Sequence, residues 1–343
     1  MRPRTLLLAA AAGLVAAVAA PSALASYPWP VKPFDEPHPV RGNFGDPRTI
    51  FYDPYDPDRF ALNGSVSFHN GVDISAPGGT PVYPVMSGVV RAAGAAKVTV
   101  RSTNGHAFQY QHITPTVRTG QRVKARTTVL GYVLGWAQHV HLTEFVRPGV
   151  LGNPLEPGHL APYYDGTSPT VASISFRSPD GKTLDPYHLR GTVLPVAEAY
   201  DVPALPVPAP WTDLPVAPAL VRWSLKTREG HTVVPVETSV DFRYRIPVNR
   251  EFWRVYAHGT YQNHPRFSDR QYATLPGRYV YRLMTGTLDT LTLPDGVYSV
   301  TVTAWDTRRN TGSRSQLIGV CNYDSTPCDQ LAAEKQKPPE NPH

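Results

Sequence analysis

The sequence predicts a mainly β protein, in which an antiparallel β-sheet domain is followed by a β-sandwich domain. Proline (37 residues) and glycine (26 residues) are frequent and charged residues make up only 17%, which is typical of turn-rich β structure. No segment keeps an i, i+3, i+4, i+7 apolar stripe, so we expect few long helices. With 343 residues and 41% hydrophobic content, the chain can form two domains with cores of ordinary size.

Residues 1–25 are predicted to be a secretory signal peptide. Arg2 and Arg4 precede an unbroken apolar run, and Ala23-Leu24-Ala25 supplies the small residues that signal peptidase requires. An uncleaved membrane anchor is the alternative, but the run is shorter than the roughly 20 residues that a spanning helix needs. We therefore expect cleavage after Ala25, a secreted or cell-wall-associated mature chain, and no membrane span.

Residues 26–165 are predicted to form the first domain. It begins with a proline-rich lead-in, residues 26–45, which cannot build a helix and is expected to lie along the surface. Asn104-Gly105 predicts a hairpin turn, on which His106 is expected to be exposed. Strands are expected where runs rich in Val, Thr, Tyr and Phe lie between turn residues. These runs are Gly79–Val85, Gly88–Ala92, Lys97–Arg101, Ala107–His112, Val129–Leu134 and His139–Phe145.

Residues 166–320 are predicted to form an immunoglobulin-like or fibronectin-III-like β-sandwich, followed by a tail over residues 321–343. Val171–Phe176 alternates apolar and polar residues as a strand does. Leu293–Asp306 contains a turn and then a well-alternating strand, which resembles the closing hairpin of such sandwiches. The proline-rich passage Val202–Pro218 is expected to be a long loop or an edge connection.

The two cysteines indicate the redox environment of the protein, and its net charge indicates which polymers it can bind. Cys321 and Cys328 are expected to pair in an oxidising compartment, with free thiols as the alternative. The net charge of +6 becomes +4 without Arg2 and Arg4, which favours association with anionic cell-wall polymers or only aids solubility. Basic residues do not form runs with interleaved aromatics, so we expect no nucleic-acid binding.

Two short motifs carry the chemistry of the chain, His69-Asn70-Gly71-Val72-Asp73 and His139-Val140-His141. Imidazole and carboxylate are ligands that zinc accepts, and a catalytic zinc site takes three protein ligands and leaves a place for water. If Val140 lies in a strand, His139 and His141 project from the same side. Gly71 and the β-branched Val72 argue against a helix, so His69 is expected on a loop and Asp73 at the entry to a strand. Capping of a turn is the alternative role for His69 and Asp73.

The stretch from about Gly42 to Glu144 resembles the M23 (LytM-type, lysostaphin-like) family of zinc metallopeptidases. The family pattern is H-x-x-x-D, then a His after a Tyr-rich strand, then H-x-H. The matching segments are Arg41-Gly42-Asn43-Phe44-Gly45, His69 to Ala76, Gly79-Thr80-Pro81-Val82, Ser87-Gly88-Val89-Val90, Tyr110-Gln111-His112-Ile113, Gly120-Gln121-Arg122-Val123 and His139-Val140-His141.

The resemblance implies an antiparallel β fold for the peptidase domain and a role for each site residue. His69, Asp73 and His141 would bind Zn2+, while His139 and His112 would be catalytic. We expect His139 to act as the base that takes the proton of the attacking water, and His112 to donate to the developing oxyanion.

The segment before H-x-H departs from the family. The family carries a loop of the form G-x-T-G-x-S-x-G, whereas Gly131–Gln138 is shorter and bulkier. Trp136 in this segment would narrow one end of the cleft. Four aromatic residues are expected to lie either in the groove or in the core, namely Phe44, Tyr83, Tyr110 and Trp136.

The sequence and the resemblance together predict a secreted zinc-dependent endopeptidase that hydrolyses peptide bonds, with peptidoglycan cross-links as the favoured substrate. One alternative is a catalytically inactive M23-like module that binds cell wall or activates a partner hydrolase. Another is a peptidase that acts on secreted proteins. The chain keeps all three expected ligands and both accessory histidines, which favours an active enzyme.

Overall fold

The structure is a computed structural model that describes residues 26–49, 66–263 and 276–336. The predicted signal peptide, residues 1–25, lies outside the described residues. The described segments form mainly antiparallel β-sheets, which confirms the predicted fold class. Across these segments, none of the helices has both the length and the apolar character needed to cross a membrane.

The first thirteen strands form three antiparallel sheets. The strands are β1 (Val40–Gly42), β2 (Pro47–Arg48), β3 (Ser67–Phe68), β4 (Val72–Ser75), β5 (Pro81–Val82), β6 (Gly88–Gly94), β7 (Lys97–Ser102), β8 (Ala107–Gln111), β9 (Ile113–Pro115), β10 (Arg122–Val123), β11 (Gly131–Val133), β12 (His139–Arg147) and β13 (Val150–Gly152). The main sheet has the order β1-β4-β12-β8-β7-β6-β10, with β13 also paired to β12. The smaller sheets are β5-β11-β9 and β2-β3.

All six predicted strand runs contain a strand, although their lengths differ. The run at Gly79–Val85 shrinks to β5 and the run at Val129–Leu134 shrinks to β11. The predicted hairpin at Asn104-Gly105 is confirmed, because β7 and β8 pair antiparallel on either side of it. His112, predicted as the last residue of its strand, lies just after β8.

Nine further strands form two antiparallel sheets that share one hydrophobic core. They are β14 (Thr170–Arg177), β15 (Thr183–Leu184), β16 (Thr192–Tyr200), β17 (Leu220–Thr227), β18 (Thr232–Asp241), β19 (Val280–Arg282), β20 (Leu288–Asp289), β21 (Gly296–Trp305) and β22 (Thr311–Val320). One sheet is β15-β14-β16-β19, with β20 also on β16, and the other is β18-β17-β21-β22. We call them the C-terminal sheets. Their immunoglobulin-like character and the boundary near residue 165 stay predictions.

Helices are short throughout the described part of the chain, as predicted. They are α1 (Phe252–Val255) and α2 (Thr326–Gln336), with 3-10 turns at Asn249–Glu251 and Thr290–Thr292. Cys321 and Cys328 form the predicted disulfide, which closes the loop before α2. Between β16 and β17 the chain forms no strand longer than one bridge, in agreement with the predicted loop.

Strand β12 has two faces, and this division positions the site. Val140 and Leu142 are fully buried in the core of the main sheet, where they pack with residues of β4 and β8. Because side chains alternate along a strand, His139 and His141 project from the opposite face. Neighbouring β4 runs antiparallel to β12, with Asp73 directly opposite His141. The apolar alternation therefore fixes which residues reach the site.

The N-terminal lead-in belongs to the core, so the prediction that it lies along the surface is wrong. Trp29 is fully buried, and its indole Nε1 donates to the carbonyl of Pro162 at 2.7 Å. Tyr27 forms a bridge with Leu160 in the segment that follows β13. Prolines prevent a helix here, but they do not prevent the aromatic residues between them from filling the core.

A buried polar network lies under β12, around Glu144. The Glu144 carboxylate is fully buried and accepts from Tyr27 Oη at 2.5 Å, His106 Nδ1 at 2.7 Å and His159 Nδ1 at 2.7 Å. The expectation that His106 is exposed is therefore wrong, because this carboxylate draws it inward. Burial alone would raise the pKa of Glu144, but the hydrogen bonds and charge of its partners outweigh burial and lower it.

Replacing His159 with glutamine is expected to destabilise the protein in a pH-dependent way. Burial lowers the pKa of His159, but Glu144 outweighs burial and raises it. The stabilisation that protonated His159 adds to the free energy of unfolding is thus complete below about pH 6.5, and it is lost as pH rises through the raised pKa. The contribution of Glu144 is complete above about pH 4.3 and is lost as pH falls through its lowered pKa. In urea unfolding, the free energy of unfolding of His159→Gln should be about 1.5–3 kcal/mol lower than that of the native protein near pH 5.5, and this difference should shrink by pH 9.

The matched control is His188→Gln, which removes an exposed histidine that pairs with Asp185 and Asp329. Exposed ion pairs contribute little to stability, so this variant should unfold like the native protein at both pH values. If His159→Gln lost the same free energy of unfolding at pH 5.5 and at pH 9, the network would act only by packing.

The C-terminal sheets contact the β2-β3 sheet, whose last residue precedes His69. We call the predicted metal ligands His69, Asp73 and His141 the metal-type residues. Phe68 of β3 packs in the core of the C-terminal sheets, against Phe242 and Tyr256. The buried carboxylate of Asp46 accepts from the backbone N–H of Ala217 at 2.7 Å. These contacts hold the two parts of the chain on either side of a common cleft.

Candidate metal and catalytic site

The register of the main sheet brings the three predicted metal ligands together. His141 on β12 lies opposite Asp73 on β4, and residues opposite one another in an antiparallel pair share a face. His69 lies on the loop before β4, as predicted. His69 Nε2 is 2.8 Å from His141 Nδ1 and 3.1 Å from Asp73 Oδ1, and His141 Nδ1 is 2.9 Å from Asp73 Oδ1.

Outer hydrogen bonds determine which nitrogen of His69 and of His141 faces Asp73. His69 Nδ1 donates to the backbone carbonyl of Asn43 at 2.8 Å, so Nε2 carries no hydrogen. His141 Nε2 lies 3.1 Å from Asn70 Oδ1 and 2.9 Å from Thr143 Oγ1, which leaves Nδ1 free of hydrogen. Such outer partners fix the tautomer and orientation of metal-binding histidines.

The three converging atoms fit a zinc ion. Two imidazole lone pairs and a carboxylate oxygen repel one another at these distances unless a cation lies between them. A tetrahedral ion with bonds of about 2.0–2.1 Å separates its ligand atoms by about 3.3 Å, close to the distances here. Burial and the charge of Arg48 lower the pKa of His69 to about 3, so the imidazole is neutral at neutral pH. Burial would raise the pKa of Asp73, but the surrounding histidines hold it well below its ordinary value.

Arg48 pairs with the Asp73 carboxylate on the side away from the two histidines. Its guanidinium donates to Asp73 Oδ2 at 2.9 Å, which leaves Oδ1 to face the two histidines. Arg48 also lies 3.6 Å from the carboxylate of Asp46. Burial raises the pKa of Asp46 to about 6, despite the charge of Arg48. Arg48 therefore fixes the orientation of Asp73 and lowers the cost of the buried carboxylate beside it.

Replacing Arg48 with glutamine is expected to weaken zinc binding by about 10–100-fold, the usual cost of removing a group that orients a metal ligand. Competition with a chromophoric chelator measures the affinity. Arg126→Gln is the matched control, because Arg126 pairs with Asp35 on the exposed surface. Equal zinc affinities in the two variants would contradict this role for Arg48.

The two predicted catalytic histidines lie beside the metal-type residues. His139 Nε2 is 3.4 Å from Asp73 Oδ1, and the His112 ring centroid is 4.5 Å from that of His139. His112 has a left-handed backbone (φ 64°), a strained conformation that is concentrated at functional sites. Burial and the charge of His139 lower the pKa of His112 to about 4, so this imidazole is neutral at neutral pH.

A cleft of about 1530 Å³ opens over these residues, and both parts of the chain line it. One wall carries the five histidine and aspartate residues together with Trp136. The other wall comes from the C-terminal half, with Trp211, Arg245–Asn249, Gln262 and Asn263. Sequence reasoning did not predict this second wall, because its residues lie more than 60 positions from the H-x-H motif.

The four aromatic residues separate into groove and core. Trp136 is 70% exposed, lines the cleft and lies 5.5 Å from His112 between ring centroids, as expected of a residue that narrows the cleft. Phe44, Tyr83 and Tyr110 are buried. The Tyr110 hydroxyl accepts from the backbone N–H of Val85 at 2.8 Å.

Comparison with known proteins identifies the segment that carries the site. The sequence model of Peptidase family M23 matches residues 67–152. Comparison with curated protein sequences finds no match. The matched segment includes the three metal-type residues and both further histidines.

Three solved structures illustrate the similarity. A mutant of the catalytic domain of the prophage-encoded M23 protein EnpA from Enterococcus faecalis is 22% identical, over 36% of this chain and 87% of that chain, with a TM-score of 0.25. The catalytic domain of lysostaphin from Staphylococcus simulans is 23% identical, over 33% and 86%, with a TM-score of 0.26. The SpoIIQ–SpoIIIAH pore forming complex is 23% identical, over 38% and 90%, with a TM-score of 0.29.

Proposed function

We propose that the protein is a secreted zinc-dependent endopeptidase that hydrolyses peptide cross-links of peptidoglycan. One observation carries the proposal, namely the convergence of His69 Nε2, Asp73 Oδ1 and His141 Nδ1 in the lining of the cleft. Two imidazoles and one carboxylate are the ligand set of a hydrolytic zinc site with a free position. The M23 match over residues 67–152 supports a metallopeptidase.

The residues around this centre suit amide hydrolysis. When bound, zinc supplies Lewis-acid chemistry, because it acidifies a water molecule and polarises the scissile carbonyl. One further group must accept the proton of the attacking water and return it to the leaving amine nitrogen, as the carbon–oxygen bond forms and the carbon–nitrogen bond breaks. Another must donate to the developing oxyanion. His112 and His139, side by side at the centre, supply both groups.

The lining of the cleft supports a peptide substrate. Besides the metal-type residues, it includes Trp136, Val150 and Val248. Exposed Trp136 and Val248 offer apolar contacts, and the side-chain amide of Gln262 offers a hydrogen bond. An extended chain needs both kinds of contact. Peptidoglycan as its source is supported by the predicted export and by the family of the peptidase domain.

Digestion of defined muropeptides by the zinc-loaded mature protein, followed by mass spectrometry, tests this proposal. We expect new fragments whose masses identify the peptide bond that is cut, and His188→Ala should give the same fragments because His188 lies on the surface away from the cleft. Full zinc occupancy with no cleavage of muropeptides or proteins would favour an inactive wall-binding or hydrolase-activating module. Cleavage of casein without release of wall fragments would favour a peptidase of secreted proteins.

A further inference from the structure

Arg41 connects the C-terminal half of the chain to His139. Its Nη2 is 2.7 Å from His139 Nδ1 and donates to the carbonyl of Ala137 at 3.1 Å. The same guanidinium lies over the indole of Trp211, 4.0 Å from the ring centroid. Arg41 and Trp211 both lie outside residues 67–152, the segment that matches the peptidase family. The family match therefore gives neither residue a role.

The surroundings of His139 Nδ1 determine its tautomer. The nitrogen lies 2.7 Å from Arg41 Nη2, which can only donate, and 2.8 Å from the carbonyl of Ala137, which can only accept. With its hydrogen on Nδ1, the ring could donate to Ala137, but Arg41 Nη2 would then face a nitrogen with no free lone pair. With Nδ1 bare, Arg41 Nη2 uses its two hydrogens for Nδ1 and for Ala137, and a charged donor gives the stronger hydrogen bond.

The other ring nitrogen agrees with this assignment. His139 Nε2 faces Asp73 Oδ1 at 3.4 Å, and a carboxylate oxygen is an acceptor. A hydrogen on Nε2 therefore points toward the metal-type residues. In this tautomer His139 is a hydrogen-bond donor toward the reacting groups and has no free lone pair there.

Trp211 is the group that holds Arg41 in this position. Arg41 Nε is buried and finds no hydrogen-bond partner among the described residues, so this atom does not anchor the guanidinium. Stacking on an indole is the strongest of the aromatic contacts available to a guanidinium. Burial lowers the pKa of Arg41 to about 10, and the side chain stays cationic at neutral pH.

We propose that Arg41, held by Trp211 of the C-terminal half, is a positioning residue that keeps His139 with its hydrogen on Nε2. His139 then donates to the oxyanion, and His112 accepts the proton of the attacking water and returns it to the leaving amine. The two histidines thereby exchange the roles expected from the sequence. This inference rests on the proposed peptidase function and makes the C-terminal half part of the catalytic arrangement.

The ring-nitrogen chemical shifts of His139 test the tautomer without any substrate. In 15N-labelled protein, both metal-free and zinc-loaded, we expect a protonated Nε2 and a bare Nδ1. In Arg41→Met the hydrogen should move to Nδ1, where Ala137 accepts it. A hydrogen on Nδ1 in the native protein would overturn the proposal. Because this measurement needs no turnover, it remains decisive even if the protein hydrolyses no peptide.

Kinetics of Trp211 variants test the link to the C-terminal half. Trp211→Ala should lower kcat by about 10–100-fold with zinc content unchanged, as for loss of an outer positioning group. Trp211→Phe keeps an aromatic face and should recover most of the loss, which separates stacking from folding. Arg126→Gln, on the exposed surface, should leave kcat unchanged. Native kcat and a native His139 tautomer in Trp211→Ala would overturn the proposal.

Discussion

Replacing His141 with alanine is expected to abolish stoichiometric zinc binding and to reduce peptide hydrolysis by at least about 10³-fold, or about 4 kcal/mol in the activation barrier. His141 Nδ1 is within 2.9 Å of both other ligand atoms, so its removal leaves two ligands where zinc requires three. Elemental analysis of the purified protein measures zinc, and muropeptide digestion measures activity. The two losses should occur together.

His139→Ala is the matched comparison, because it removes a neighbouring imidazole of the same strand that is not a predicted ligand. This variant should keep about one zinc per chain and still lose hydrolysis, since His139 acts on the reacting groups. Full zinc occupancy in His141→Ala would contradict the ligand set. Loss of zinc in both variants would contradict the division of the histidines into ligands and catalytic groups.

The sequence could predict this site because its residues lie on short motifs in neighbouring strands. His139 and His141 share a face through the period of a strand, and Asp73 joins them through the register of β4 against β12. His112 follows β8, which pairs with the other edge of β12. Local alternation predicted the shared face of His139 and His141, whereas the grouping of Asp73 and His112 with them came from the family resemblance.

Other parts of the site depend on packing between distant segments, which local patterns do not contain. Arg41 meets Trp211 across 170 positions of sequence, and no spacing rule relates them. Burial of His106 follows from a single carboxylate, Glu144, that comes 38 residues later. The turn signal at Asn104-Gly105 was correct, but it carried no information about which side chains the turn directs inward.

Replacing Gly71 with alanine is expected to disrupt the metal centre and the sheet together. A Cβ at this position would lie 2.3 Å from the carbonyl oxygen of Leu142 and 2.9 Å from His141 Nε2. The Leu142 contact is to backbone of β12, so no side-chain rotation can relieve it. We expect a loss of at least about 2 kcal/mol in the free energy of unfolding. Zinc affinity should fall together with stability, because relief of the clash moves β12 and displaces His141 from Asp73.

Gly166→Ala is the matched control, because it separates the clash at Gly71 from the general effect of replacing a glycine. A Cβ at Gly166 meets nothing within 4 Å, so that variant should keep native stability and native zinc binding. Urea unfolding and chelator competition on both variants provide the test. If Gly71→Ala kept native zinc affinity, β4 and β12 would not need their close approach to hold the ligands. The glycine between His69 and Asp73 is thus as much a requirement of the site as the ligands, because only a residue without a side chain lets this loop pass against β12.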